Sequence, residues 1–306
     1  MHQDRCRRRL NCRPVLLSGL LLLLASGAQA TLSASSSAGY AEPHIESLTF
    51  FQGATGPVSS VGAVGPLGVA AASGNAAASY GALHSAATAV VGGDGQARGG
   101  AGSLWIDSVT LSSASTGAAT GRATFNLSGA LSSRVDGMST AAYASSTVAA
   151  VVMVGAVQVF SVNAQLLHRN PSNSAYDIDT INVSGLNVAF VPGSLAGSYS
   201  FDMPIVLGTP FQLYASLNTE ARAFGSSGVD NTQANSDFGS TGYWGGISAV
   251  QLADGTVVSD FSAQSTSGFD WAHAYSAPVP EPGTWAFMLA GIAFLGQAAR
   301  RRMADR

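Results

Sequence analysis

Short runs in which apolar and polar residues alternate recur along the middle of the chain, and they constrain its fold more than any other feature. Residues 123–127 (ATFNL) and 211–217 (FQLYASL) show this alternation. Successive side chains of a strand point to opposite faces, so each run predicts a strand with one buried face. Asp254-Gly255 stands between two such runs and predicts a hairpin. We therefore expect an all-β fold, an antiparallel β-sandwich or jelly-roll-like domain.

Four further stretches carry weaker local signals. Residues 31–44 begin as a Ser/Ala run without periodicity and are predicted to be a flexible leader. Residues 91–102 are rich in glycine and are predicted to be a loop. They are not a dinucleotide fingerprint, because the third glycine of that motif is missing. Residues 225–238 are polar and are also predicted to be a loop. Residues 148–160 are too short for a membrane helix and are predicted to be a buried strand.

The N-terminal 30 residues have the three parts of a secretory signal peptide. Five arginines precede Pro14, a mostly apolar run covers 15–24, and Ala28-Gln29-Ala30 is a small-x-small cleavage site. Cleavage between Ala30 and Thr31 is expected, with signal peptidase and the secretion machinery as partners. General secretion is favoured over the twin-arginine route, because Asn11 intrudes and no apolar pair follows the arginines at the expected offset.

The C-terminal 28 residues also have three parts in a fixed order. The triplet Pro280-Glu281-Pro282 is followed by an uncharged apolar run at 284–299 and by three arginines at 300–302. The two prolines of the triplet favour an extended backbone, which an enzyme can recognise. The run is apolar on all sides of a helix but reaches only about 24 Å, against a hydrocarbon core of about 30 Å. We predict a short, weakly inserting membrane helix whose basic end stays in the cytoplasm. Its expected membrane contacts are Trp285, Phe287, Leu289, Ile292, Phe294 and Leu295.

This C-terminus resembles the PEP-CTERM sorting signal. That signal is recognised by exosortase, a membrane-embedded cysteine transpeptidase of Gram-negative bacteria that also make exopolysaccharide. The matching parts are the motif Val279-Pro280-Glu281-Pro282, the span from Thr284-Trp285 to Gly296, and the topology-setting cluster Arg300-Arg301-Arg302. The tail 303–306 runs past the family's pattern. The resemblance implies that an exosortase-like transpeptidase recognises Glu281 and its flanking prolines; the alternative is an ordinary single-pass anchor that no sorting enzyme cuts.

A second, looser resemblance lies at the end of the body. Trp244-Gly245-Gly246, a hairpin, and the SGFDW sequence at 267–271 are similar to the C-terminal half of β-rich ectodomains found among PEP-CTERM proteins. It carries no known activity. The chain is thus divided into a signal peptide (1–30), a β-rich secreted domain (31–278) and a sorting signal (279–306) with a membrane helix at 284–299 and a basic tail at 300–306.

Composition excludes several functions for the exported form. Both cysteines, Cys6 and Cys12, lie in the expected signal peptide, so disulfides, thiolate metal sites and cysteine nucleophiles are excluded. Between residues 31 and 278 there are five arginines and 14 acids, a net charge of about −9. This negative charge opposes the binding of nucleic acid, which is itself negatively charged. We expect no nucleic-acid partner and no cofactor.

Candidate catalytic and ligand-binding residues are few and weakly patterned. The histidines of the exported part have no Gly-x-Ser-x-Gly elbow beside them, and the aspartate pairs that a glycosidase needs are equally expected in turns. These histidines are His44, His84, His168 and His273; the pairs are Asp177/Asp179 and Asp254/Asp260; a calcium site would use Asp230, Asn231 and Asp237. We predict no catalytic residue, no metal site and no enzyme. Tyr243, Trp244 and Trp271, with Tyr275, are either a platform for sugar rings or core residues, and the core is favoured.

The functional prediction is an exported protein of the cell surface or extracellular matrix. After export, its ectodomain is expected to be periplasmic while the inner membrane holds it transiently. Exosortase then releases it to the cell surface or the extracellular space, where it associates with the envelope or exopolysaccharide in a structural or interaction role. The alternatives are a secreted carbohydrate-binding module and, less favoured, a secreted hydrolase.

Overall fold

The chain is built from β-strands. The computed structural model describes residues 30–41, 48–54, 58–64, 70–136, 141–169, 180–185, 195–226 and 230–276. The strands are β1 (Thr31–Ala41), β2 (Leu48–Ala54), β3 (Val58–Val64), β4 (Ala70–Ser79), β5 (Ala82–Gly92), β6 (Gly95–Ser112), β7 (Gly117–Asp136), β8 (Tyr143–Val154), β9 (Val157–Arg169), β10 (Thr180–Gly185), β11 (Gly197–Leu207), β12 (Phe211–Gly225), β13 (Asn231–Leu252), β14 (Val257–Val258) and β15 (Ser262–Ser265). In the described ranges no helix is long and apolar enough to cross a membrane. The signal peptide up to residue 29 and the membrane helix at 284–299 lie outside these ranges.

The strands form two antiparallel sheets. The larger sheet has the order β10-β9-β8-β12-β6-β1-β2, and β15 also pairs with β6. The smaller sheet has the order β11-β7-β13-β5-β4-β3, and β14 pairs with β13. The sheets bury their facing sides against each other, which confirms the predicted all-β antiparallel sandwich.

The core follows the predicted alternation. Phe125 and Leu127 on β7, and Leu213 and Leu217 on β12, are at most 1% exposed. Aromatic rings fill the core at one end of the sandwich, and alanines such as Ala97 line the core at the other end. At the alanine end the sheets approach closely.

Gly99 shows how close this approach is. A Cβ on this β6 residue would lie 2.3 Å from the carbonyl oxygen of Ser73 and 2.4 Å from that of Thr88, both on the smaller sheet. Real Cβ atoms do not come so near to backbone oxygens, so a residue without a side chain is needed here.

Three segments expected to be irregular are strands instead. Residues 31–41 of the expected leader form β1, which pairs along β6, and Leu32 is fully buried. The glycine-rich stretch is a loop only at Gly93 and Asp94, and β6 begins at Gly95. The polar stretch at 225–238 is mostly the start of β13. Small residues look like loop residues in the sequence, but closely packed sheets need them on the inner face.

The hairpin prediction at Asp254-Gly255 and the strand prediction at 148–160 had different outcomes. The Asp254-Gly255 hairpin is confirmed: Gly255 has φ 90° and Val250 pairs with Val258. The apolar stretch at 148–160 is not one buried strand: residues 148–154 alternate between buried and half-buried positions, and residues 155–158 are exposed. It turns at Gly155, which has φ 57°, so its two halves belong to β8 and β9.

Candidate functional site

The last described segment, residues 262–276, returns to the larger sheet after β14 and is called the C-terminal clasp here. It begins with β15, which pairs with β6 so that Ser265 lies opposite Val109. It then continues through turns to Ser276, the last described residue. The expected sorting motif starts three residues later, at Val279. The clasp is therefore the described segment that lies directly before that motif in the sequence.

A buried carboxylate holds the clasp. Asp107 on β6 is fully buried and accepts hydrogen bonds from the backbone N–H of Ser108 at 2.9 Å and the indole Nε1 of Trp271 at 2.7 Å. It also accepts from the backbone N–H of Ser267 at 3.2 Å and from the Ser267 hydroxyl. Three of these four donors belong to the clasp. Removing the carboxylate would leave them unpaired in the interior, which is costly.

Three tryptophans pack around this carboxylate. The ring centroids of Trp105 and Trp271 are 4.5 Å apart, and those of Trp244 and Trp271 are 5.5 Å apart at 82°. The Nε1 of Trp244 donates to the backbone oxygen of Trp271 at 2.7 Å. All three indoles are 0% exposed. The clasp therefore closes the aromatic end of the core, where each ring contributes both area and edge-to-face contact.

Gly246 allows the clasp to lie against β13. It has φ 87°, and a Cβ there would be 2.9 Å from the nitrogen of Ala274 and the carbonyl carbon of His273. The Ile247 N–H donates to Ala272 at 3.1 Å, and the Tyr275 N–H donates to Trp244 at 2.8 Å. A side chain at position 246 would strain the backbone and collide with the clasp. This explains the glycine after Trp244-Gly245.

Of the two alternatives for Trp244 and Trp271, a glycan platform or the core, the structure places both residues in the core. Both indoles are fully buried, so neither presents a face to a sugar ring. Tyr243 is half-buried and stacks on Tyr275, with centroids 5.6 Å apart at 13°. The two tryptophans are core residues, as the favoured alternative had it.

Asp107, Trp105 and Ser267 were missed as residues of this cluster. In the sequence LWIDSVTL, Asp107 lies in the same phase as Trp105 and Val109. A carboxylate in the inward phase of a strand needs buried donors, because burying it unpaired is unfavourable. That phase is the signal that could have identified Asp107.

Tyr80 lies beside the same cluster. Burial, with a smaller contribution from the charge of Asp107, raises the pKa of Tyr80 to about 12. Its hydroxyl and the Nε1 of Trp105 are buried, and neither has a hydrogen-bond partner among the described residues. The phenol is therefore held in its neutral form.

The candidate catalytic residues do not converge in the described ranges. His84 lies on β5 and His168 on β9, in different sheets. His273 pairs with Asp270 at 2.7 Å on the exposed surface of the clasp, and no described serine hydrogen-bonds to it. His44 lies outside the described residues. The three described histidines therefore lie on three different elements, β5, β9 and the clasp.

The candidate carboxylates are also separated. Asp254 is exposed in the β13–β14 turn, where the backbone N–H of Thr256 lowers its pKa. Asp230 is buried and accepts from the Ser226 N–H, whereas Asp237 is exposed seven residues along. Seven residues of extended chain span about 23 Å, too far for one calcium ion. Within the described ranges no group of three or more His, Cys, Asp or Glu side chains could hold a metal. Asp177 and Asp179 lie outside them.

The expected sorting residues all lie outside the described residues. These are Val279, Pro280, Glu281, Pro282, Trp285, Phe287, Leu289, Ile292, Phe294, Leu295, Arg300, Arg301 and Arg302. Of the expected cleavage residues, Ala28 lies outside and Ala30 is the first described residue.

Comparison with known proteins identifies the C-terminal segment. Residues 278–302 match the family described as the PEP-CTERM protein-sorting motif. No curated protein and no solved structure matches the chain. The match covers the triplet, the apolar run and the three arginines, so the sequence resemblance is confirmed there.

Proposed function

We propose, from the premise that the chain carries a PEP-CTERM protein-sorting motif, that it is a non-catalytic protein of the cell envelope or extracellular polysaccharide layer. The motif indicates an exported, membrane-associated protein that an exosortase processes. In the proposed sequence of events, signal peptidase frees Thr31 and the inner membrane holds residues 284–299. The body faces the periplasm until exosortase acts near Pro280-Glu281-Pro282. The body then serves as a structural or interaction domain.

The observation that carries this proposal is the position of the C-terminal clasp. The last described residue is Ser276, and the matched motif begins at residue 278. Among the described residues, the last fully buried side chain is that of Trp271. Cleavage at the triplet would therefore leave every described core contact in place. A body built in this way is compatible with release from its membrane segment.

The non-catalytic part of the proposal is supported by the polar residues of the described ranges. The fully buried carboxylate of Asp107 is hydrogen-bonded to the clasp, and no described serine hydrogen-bonds to the exposed pair His273–Asp270. Trp105, Trp244 and Trp271 are core residues. The runner-up functions are a carbohydrate-binding module and a secreted hydrolase, and the hydrolase would need a residue whose replacement abolishes turnover while the fold is kept.

Fractionation of producing cells tests the sorting proposal. The wild-type protein should leave the inner membrane, whereas Glu281→Ala should remain in it because the recognised triplet has lost its carboxylate. Asp305→Ala is the matched control: it removes a carboxylate from the same C-terminal region but outside the triplet, and it should be released like the wild type. Release of Glu281→Ala at the wild-type rate would overturn the proposal.

A further inference from the structure

The outer face of the larger sheet has a shallow polar cavity at the end where the core is lined by alanines. It has a volume of about 200 Å³ and is lined from three neighbouring strands, β9, β8 and β12. Binding pockets for drug-sized ligands are usually about 300–1,000 Å³. This cavity fits a smaller group. Its lining residues are Tyr143, Ser145, Thr147, Gln165, Glu220 and Arg222, together with Leu167.

Two arginines meet over one carboxylate beside this cavity. Arg98 on β6 lies directly opposite Arg222 on β12 in the strand register. Both bond to Glu220: Arg98 Nη2 lies 3.0 Å from its Oε2, and Arg222 Nε bonds to its Oε1. Like charges directly opposite each other destabilise a sheet. The Glu220 side chain is 11% exposed, whereas those of Arg98 and Arg222 are 41% and 45% exposed, so both arginine side chains are partly open to solvent.

The charge on this face is opposite in sign to that of the body. Two of the other three arginines of the body lie on the smaller sheet, where Arg122 pairs with Asp202 and Arg134 with Asp136. Arg169 follows Leu167 on the cavity side of β9, opposite Tyr143. Glu220 is the acid that the described strands of the larger sheet place on this face. The face therefore has a net charge of about +2, within a body of about −9.

The uncharged part of the lining suits hydroxyl groups and a ring. Gln165 Nε2 donates to the Ser145 hydroxyl at 3.0 Å, so the two side chains hold each other in place. Tyr143 stacks on Phe224, with centroids 5.4 Å apart at 21°, and both rings are half-buried. Side-chain hydroxyls and amides bind sugar hydroxyls, and an aromatic ring at the rim packs against the apolar face of a sugar.

We propose that this cavity binds a saccharide that carries a carboxylate. The exposed guanidinium groups of Arg222 and Arg98 bind the carboxylate in the paired geometry that arginine favours. Tyr143 packs against the sugar ring, while Thr147 and Gln165 bind its hydroxyls. Because the rest of the body is acidic, the ligand carries an isolated carboxylate among neutral sugars rather than a continuous run of charges. This deepens the interaction role proposed above and rests on it for the source of the ligand.

Direct titration of the exported protein, purified from the producing strain, tests the site independently of sorting. The probes are glucuronic acid, glucose and inorganic phosphate, followed by nuclear magnetic resonance or calorimetry at low salt. Glucuronic acid should bind with a dissociation constant of about 1 mM. Glucose should bind at least about tenfold more weakly, because it lacks the carboxylate.

Two variants and one control locate the binding. Arg222→Met keeps the apolar stem but removes the charge, and should weaken glucuronic acid binding about 10-fold to 100-fold. Tyr143→Leu should weaken binding of the ring by about 3-fold to 10-fold, and it provides a test if Arg222→Met fails to fold. Arg122→Met removes an arginine from the opposite sheet and should leave the affinity unchanged.

Four results would overturn the proposal. They are equal affinity for glucose and glucuronic acid, full displacement of glucuronic acid by equimolar phosphate, equal weakening by Arg122→Met, and no binding at about 20 mM glucuronic acid, well above the expected constant. Any of these can occur with sorting intact. Likewise, retention of the wild-type protein in the inner membrane would refute the sorting proposal without affecting this titration.

Discussion

The Trp271→Phe substitution tests whether the C-terminal clasp is held by Asp107. It keeps an aromatic ring but removes the Nε1 donor that lies 2.7 Å from the Asp107 carboxylate. A hydrogen bond to a charged acceptor contributes about 1.5–3 kcal/mol, and the lost ring atoms of a fully buried side chain add about 1 kcal/mol. We therefore expect the clasp to be destabilised by about 2.5–4 kcal/mol.

Limited proteolysis with chymotrypsin measures this effect at the clasp itself. When opening and closing are fast, cleavage follows the population of the open form. The expected destabilisation raises that population about 100-fold or more, so cleavage at Phe269 and Tyr275 should accelerate by that factor. Gln264→Ala, an exposed change on β15, is the control and should accelerate cleavage less than about twofold. If Trp271→Phe behaves like Gln264→Ala, Asp107 does not hold the clasp.

Two further substitutions test the close approach of the sheets and the buried phenol. Gly99→Ala should lower the free energy of unfolding by about 1–3 kcal/mol or more, because its Cβ meets two backbone oxygens. Gly121→Ala, whose Cβ would meet the flexible end of Met203 at 3.3 Å, should cost clearly less in urea unfolding; equal losses would refute the close contact. Because the pKa of Tyr80 is raised from 10.0 to about 12, its contribution to stability is complete below pH 10 and is lost between pH 10 and 12. Tyr80→Phe should therefore show a smaller loss of melting temperature over that interval, with little change at pH 7; an unchanged pH profile would refute this.

The fold class could be predicted because the alternation on β7 and β12 is long and regular. At those positions large apolar side chains mark the inner face, and the structure buries them as expected. The prediction failed where small residues form the core. In the first half of β6, small residues such as Ala97 and Gly99 lie where the two sheets approach closely, and β1 is also rich in alanine and serine, so both strands resemble loops in composition. Only the pairing with the neighbouring strand and the packing against the opposite sheet distinguish such a strand from a loop.

The candidate sites also differed in how far they could be predicted from the sequence. The sorting motif could be recognised from sequence because its parts are contiguous over residues 279–302. The cluster at Asp107 could not, because β6, β13 and the clasp all contribute to it, and the hydrogen-bonded Asp107 and Trp271 are 164 positions apart. The arginines at 98 and 222 likewise meet through pairing across strands. The core was the favoured position for Trp271, but the sequence did not indicate that Asp107 is its hydrogen-bond partner.

The intact mass of the protein recovered outside the inner membrane of a producing strain tests the central claim most directly. The account predicts a chain that begins at Thr31, ends near Pro280-Glu281-Pro282 and lacks Arg300 to Arg302, with any attached group adding to that mass. A product that retains residues 284–306 and stays in the inner membrane would contradict processing at the sorting motif, and the protein would then be an anchored ectodomain.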